Sequence, residues 1–109
     1  MLKSISLLFT GLIATSVMAT SVLADINKGQ KLYLKTCKTC HGNGTKGASM
    51  KTQEEWNDLF ANDGAEIIKK HTTTPAKPFF DGDGFKSQSK DMRDFLFEYG
   101  SDSGNVPTC

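Results

Sequence analysis

A chain of 109 residues with 13 basic and 12 acidic side chains has room for one small domain and lacks the positive excess that drives nucleic-acid binding. Its three cysteines are an odd number, so they cannot form a complete disulfide framework. Multidomain architecture, a nucleic-acid partner and a disulfide-stapled miniprotein are therefore excluded as expectations.

Residues 1–24 differ in composition from the rest of the chain. Lys3 supplies one positive charge, Ile5 to Ala19 is an almost uncharged apolar run, and Val22-Leu23-Ala24 offers the small and aliphatic residues of a cleavage site. This predicts a signal peptide over 1–24, cut after Ala24. The rival reading is a retained anchor, since a bilayer needs about 20 apolar residues, but Thr, Ser and Gly11 interrupt the run. No cysteine follows the cut, which argues against lipid attachment. The expected domain, residues 25–109, is exported and soluble, with no stable membrane insertion. At that size a core alone stabilises weakly, and a metal, disulfide or cofactor usually contributes.

Charge within that domain is lopsided. Removing Lys3 leaves 12 basic against 12 acidic residues, yet Lys28, Lys31, Lys35, Lys38, Lys46 and Lys51 face Asp25 alone between residues 25 and 51.

Asp25 is placed to cap a helix through Ile26, Gly29, Leu32 and Tyr33 that ends at a cysteine cluster. Gly42-Asn43-Gly44 and Gly47 then predict a loop. Thr52 followed by Glu55 reads as a capping box, opening a helix with Trp56, Leu59 and Phe60 inward. Asn62-Asp63-Gly64 should end it, and a short helix follows from Ala65 to His71. Thr72 to Gln88, with Pro75, Pro78 and Asp81-Gly82-Asp83-Gly84, predicts a long irregular loop. A last helix from near Ser89 carries Met92, Phe95, Leu96 and Tyr99 until Gly100. No stretch alternates as a strand, so the expected class is all-α, with long connections of the kind that wrap a functional site.

Cys37-Lys38-Thr39-Cys40-His41 reads as a c-type haem attachment site. Two thiols three residues apart can add to the two vinyl groups at one haem edge, and the adjoining imidazole then lies beneath the ring as an iron ligand. A thioredoxin-like pair would need a βαβ frame, which the pattern lacks. A zinc site could recruit Cys37, Cys40, His41 and either His71 or Cys109, but adjacent Cys40 and His41 make awkward tetrahedral partners.

The run from Gly29 to Gly42 around this cluster, with Tyr33 midway, and the closing segment Asp94-Phe95-Leu96-Phe97-Glu98-Tyr99 together resemble the class I cytochrome c family. The resemblance covers most of residues 25–100. It implies three to four short helices wrapped around one covalently attached haem c, with Gly29 and Tyr33 meeting Leu96 and Tyr99 where the first and last helices cross. It also implies that Cys37 and Cys40 bind the cofactor, that His41 binds its iron, and that the protein is a one-electron carrier; the leader makes it a soluble periplasmic one, and no catalytic acid–base pair or nucleophilic arrangement is visible, so it is not expected to be an enzyme. Its partners would be redox proteins, and the lysines near the attachment site favour acidic docking surfaces.

The sequence departs from the family where a methionine usually reaches the other face of the iron: none occurs between Lys51 and Asp91. His71 is the leading sixth ligand, with Met92 and Met50 as alternatives and an open site as the fourth. Met92 lies in a helical apolar stripe, where methionine is more often core than ligand, and could bind only if its helix began later than expected. Met50 follows His41 closely enough to pack on the proximal side instead. An open position would favour a gas sensor or a peroxidase-like haem protein.

Four other features have plainer readings. Asp81-Gly82-Asp83-Gly84 begins like a calcium loop but carries Lys86 at its sixth position and Met92 at its twelfth. Asn43-Gly44-Thr45 fits a glycosylation sequon in an unsuitable place. Trp56 is either helix core or, by family analogy, a donor to a haem propionate. Cys109 is left over, free or joining two copies in a dimer.

Overall fold

The computed structural model describes residues 20–108, with side chains from Ile26 onward. The leader up to residue 19, and Cys109, lie outside the described residues. Helices α1 (Thr20–Thr36), α2 (Lys38–His41), α3 (Gly44–Ala48), α4 (Gln53–Lys70), α5 (Lys77–Asp81) and α6 (Asp83–Glu98) account for all regular structure there, and no strand occurs among the described residues. The all-α class holds, but six helices replace the expected three to four.

Three boundaries correct the expectations. α1 begins at Thr20, so Asp25 lies inside it rather than at its cap. The stretch expected as a glycine loop contains α3: Asn43 Oδ1 accepts from the Lys46 amide at 2.9 Å, and this cap offsets the poor helix propensity of Gly44 and Gly47. Asn43 is thus engaged as a cap. The expected irregular loop of residues 72–88 holds α5 and the first turns of α6, which starts at Asp83 rather than near Ser89. Pro78 does not disrupt α5 because it sits in the first turn, where its missing N–H has no partner to lose. Asp81-Gly82-Asp83-Gly84 closes one helix and opens the next, with Asp83 favourably placed in the first turn of α6.

The capping box of α4 forms as expected. Thr52 N–H donates to Glu55 Oε1 at 3.0 Å and Glu55 N–H to Thr52 Oγ1 at 3.2 Å, which holds the Glu55 carboxyl below its usual range. Asp102, from the tail after α6, accepts from the Gln53 amide at 2.9 Å and satisfies a further orphan donor of the first turn. α4 breaks where expected: Ala61 is extended, and Asn62, Asp63 and Gly64 have φ of 54°, 57° and 78°. Asn and Asp tolerate this left-handed region better than most residues. Gly64 is required twice over, because a Cβ there would meet the Phe85 ring at 2.7 Å.

α1 and α6 cross closely. A Cβ on Gly29 would lie 1.9 Å from the Asp91 carbonyl oxygen and 2.8 Å from Phe95 Cβ. Tyr33 packs on Phe95 with ring centres 5.6 Å apart, and Phe95 on Tyr99 at 5.4 Å. The crossing residues on α6 are therefore Asp91 and Phe95, with Tyr99 behind, rather than the expected Leu96 and Tyr99. Positions 91, 95 and 99 share one face at helical spacing, while 92 and 96 share the adjacent one. Lys28 bridges the same crossing to Asp91 at 3.2 Å. The α4 side is closed by Phe60 and Phe85, 6.2 Å between centres, and Phe80 of α5 stands 4.9 Å from Phe85.

Candidate functional site

Cys37 to His41 form a single helical turn. The amides of Cys40 and His41 both donate to the Cys37 carbonyl, at 3.2 and 3.0 Å. Cys37 and Cys40, three apart, then lie on one side of the turn. Gly42, at φ +81°, ends it, and the Tyr33 hydroxyl donates to the Gly42 carbonyl at 2.9 Å. α1 thereby ties down the loop that leaves the cluster. The sequence pattern places Tyr33 only at the helix crossing and carries no signal of this second role.

The two thiols differ. Cys37 is partly buried while Cys40 is exposed. Burial pushes the Cys37 thiol up, the Thr36 hydroxyl 3.3 Å from its sulfur partly offsets this, and Cys40 pushes it further up. The thiolate is the reactive form, so burial holds Cys37 back from it.

This turn borders a cavity of about 380 Å³, within the range of cofactor sites. Tyr33, Trp56, Phe60, Phe80, Met92 and Leu96 form its apolar walls. His41 and His71 both line it, with ring centres 6.1 Å apart and planes at 78°. His71 Nδ1 lies 2.6 Å from the Ile67 carbonyl oxygen, and its ring stacks on Phe80 at 4.1 Å and 22°. The α5 wall is not legible in the sequence, because Pro75 and Pro78 outweigh the signal of Phe79, Phe80 and Phe85.

Met92, Met50 and Trp56 also line this cavity. Met92 is 2% exposed in the core cluster. Because α6 begins at Asp83, Met92 is well inside a helix, against the condition under which it could bind iron. Met50 lines the cavity but is 45% exposed. Trp56 Nε1–H donates to the Ala48 carbonyl at 2.8 Å, so the indole is committed to α3 rather than free for a propionate. Trp56→Phe should cost about 1–3 kcal/mol by orphaning that buried carbonyl, measurable as a lower denaturation midpoint of the protein.

The donor chemistry fits a haem. An apolar cavity lined by two thiols and two imidazoles suits a planar macrocycle carrying a metal. It does not fit zinc held by protein alone: among the described residues no three His, Cys, Asp or Glu side chains converge on a common point. The thioredoxin-like alternative lacks its strand, since the described residues contain none.

A family model described as "Cytochrome C oxidase, cbb3-type, subunit III" matches residues 24–96, 73 of the 109. No curated protein and no solved structure matches.

Proposed function

Because the chain belongs to the cbb3-type cytochrome c oxidase subunit III family, a family of c-type cytochrome domains, we propose that it is a small monohaem carrier passing single electrons between redox proteins. The family relation makes it a haem-based electron-transfer module with redox partners. Further to this, Cys37 and Cys40 would hold one haem c through thioethers and His41 would bind its iron.

The observation that carries the reading is the attachment turn itself, with Cys37, Cys40 and His41 on the border of one apolar cavity of about 380 Å³. When bound, the haem supplies reversible one-electron chemistry at iron. The chain does the rest. Tyr33 and Gly42 fix the attachment turn, and Trp56, Phe60, Phe80, Met92 and Leu96 keep water from the cavity, which tunes potential through the local dielectric.

The leader is read as a signal peptide removed after Ala24, giving a soluble periplasmic protein. No helix of the described residues, which begin at residue 20, is long and apolar enough to cross a membrane. Lys35, Lys38 and Lys46 are exposed around the attachment turn and could steer a partner with an acidic surface, whereas Lys28 is already paired with Asp91.

A redox titration of protein matured in a haem-ligating host tests this. One iron per chain and a single one-electron wave are expected. Steady turnover of peroxide with a reduced donor, or no redox wave, would contradict it.

A further inference from the structure

The separation of the two histidine rings is one that a single metal could span. A metal–imidazole bond is about 2 Å long and the ring centre lies about 1 Å beyond the nitrogen, so two such ligands on opposite sides of one metal put their ring centres about 6 Å apart. The observed separation is 6.1 Å. Both rings line the same apolar cavity.

The tautomer agrees. A carbonyl oxygen only accepts, so the 2.6 Å contact with Ile67 puts the proton on His71 Nδ1 and leaves the Nε2 lone pair free. This is the arrangement by which backbone carbonyls orient metal-binding histidines. It arises from the end of α4: the His71 amide donates to the Ile68 carbonyl at 3.0 Å rather than continuing the helical ladder to Ile67. The Ile67 carbonyl is one of the orphans of the last turn, and the imidazole satisfies it. Phe80, stacked at 4.1 Å, holds the ring against rotation.

Resting on the haem reading above, we propose that His71 is the second axial ligand of the iron, positioned by the Ile67 carbonyl and the Phe80 ring. The iron is then closed on both faces by imidazole, its potential is lower than with methionine, and small gaseous ligands have no open position. Met92, deep in α6, remains core, and Met50 remains at the cavity mouth.

Ferric wild-type holoprotein should be low-spin and lack the weak long-wavelength band of methionine-ligated haem. With imidazole planes held near the observed 78°, its electron paramagnetic resonance spectrum should show the strongly anisotropic low-spin signal of crossed axial imidazoles. His71→Ala should lose the low-spin signal and bind carbon monoxide rapidly when reduced, and added imidazole should restore the low-spin form. His71→Met should raise the midpoint potential. A methionine band or a high-spin ferric spectrum in the wild type, or a His71→Ala spectrum unchanged from it, overturns the proposal. Should His71→Ala fail to accumulate, the wild-type spectra decide alone. Pyridine haemochrome assays on the same samples replace both axial ligands and read thioether-linked haem regardless of His71, so loss of that signal in the wild type would instead sink the haem reading.

Discussion

Replacing Cys37 and Cys40 together by serine is expected to give a colourless chain without a cooperative thermal transition. Six of the ten buried hydrophobic residues among those described (Tyr33, Trp56, Phe60, Phe80, Met92 and Leu96) line the cavity, so the core is built around a space rather than closed on itself. Left empty, about 380 Å³ at about 24 cal/mol per Å³ costs on the order of 9 kcal/mol. Water entering the cavity lowers that upper bound but also wets the apolar walls. The total stability of a small domain is about 5–15 kcal/mol, so a loss approaching that bound is comparable with the whole. Circular dichroism melts of wild type and double variant from the same maturing host would check this, and a variant melting cooperatively at the wild-type temperature would count against it.

The second large effect is expected at the helix crossing. In Gly29→Val the added Cβ would stand 1.9 Å from the Asp91 oxygen and 2.7 Å from its carbonyl carbon. These are backbone atoms of a helix and cannot rotate away, so α1 and α6 must separate. That pulls Tyr33 from Phe95 and opens the layer beneath the attachment turn. Overpacking of this kind costs about 3 kcal/mol or more, which for a domain of this size lowers Tm by at least about 12 °C. The Lys28–Asp91 pair crosses the same interface, but with Lys28 64% exposed it is worth at most about 1 kcal/mol. Lys28→Met is therefore the control, and should shift Tm far less. A Gly29→Val holoprotein melting within about 2 °C of wild type would show that the helices do not cross at this glycine.

The features legible in the sequence are those where one residue type has one physical use. Gly29 before an aromatic, Thr52 with Glu55, and Asn62-Asp63-Gly64 all appear in the expected places because close approach, capping and left-handed backbone each admit few residues. The Cys37–His41 turn stands out in the sequence for the same reason: thiols and imidazole at that spacing have few uses. The segments that differ from expectation are those where turn-forming residues serve a helix. Asn43 caps α3 rather than ending order, Pro78 starts α5 rather than breaking it, and Gly82 precedes α6 as its cap. Local composition cannot separate these uses, because the deciding term is packing of Phe80 and Phe85 against distant parts of the chain. The register of α6 differs for a related reason. Phe95 and Leu96 are both apolar neighbours, and only the neighbouring elements determine which faces α1 and which faces the cavity. In the sequence His71 is one of several ligand candidates; its distance from His41 and its bond to Ile67 emerge only with the fold.

Every functional role proposed for this chain requires a haem bonded to Cys37 and Cys40 with His41 on its iron. Intact mass spectrometry of protein matured in a host able to attach haem, followed by peptide mapping, tests it most directly. The expected result is the polypeptide mass plus one haem, with the whole addition on the peptide containing residues 37–41. A mass equal to the bare polypeptide, or an addition located elsewhere, would contradict it.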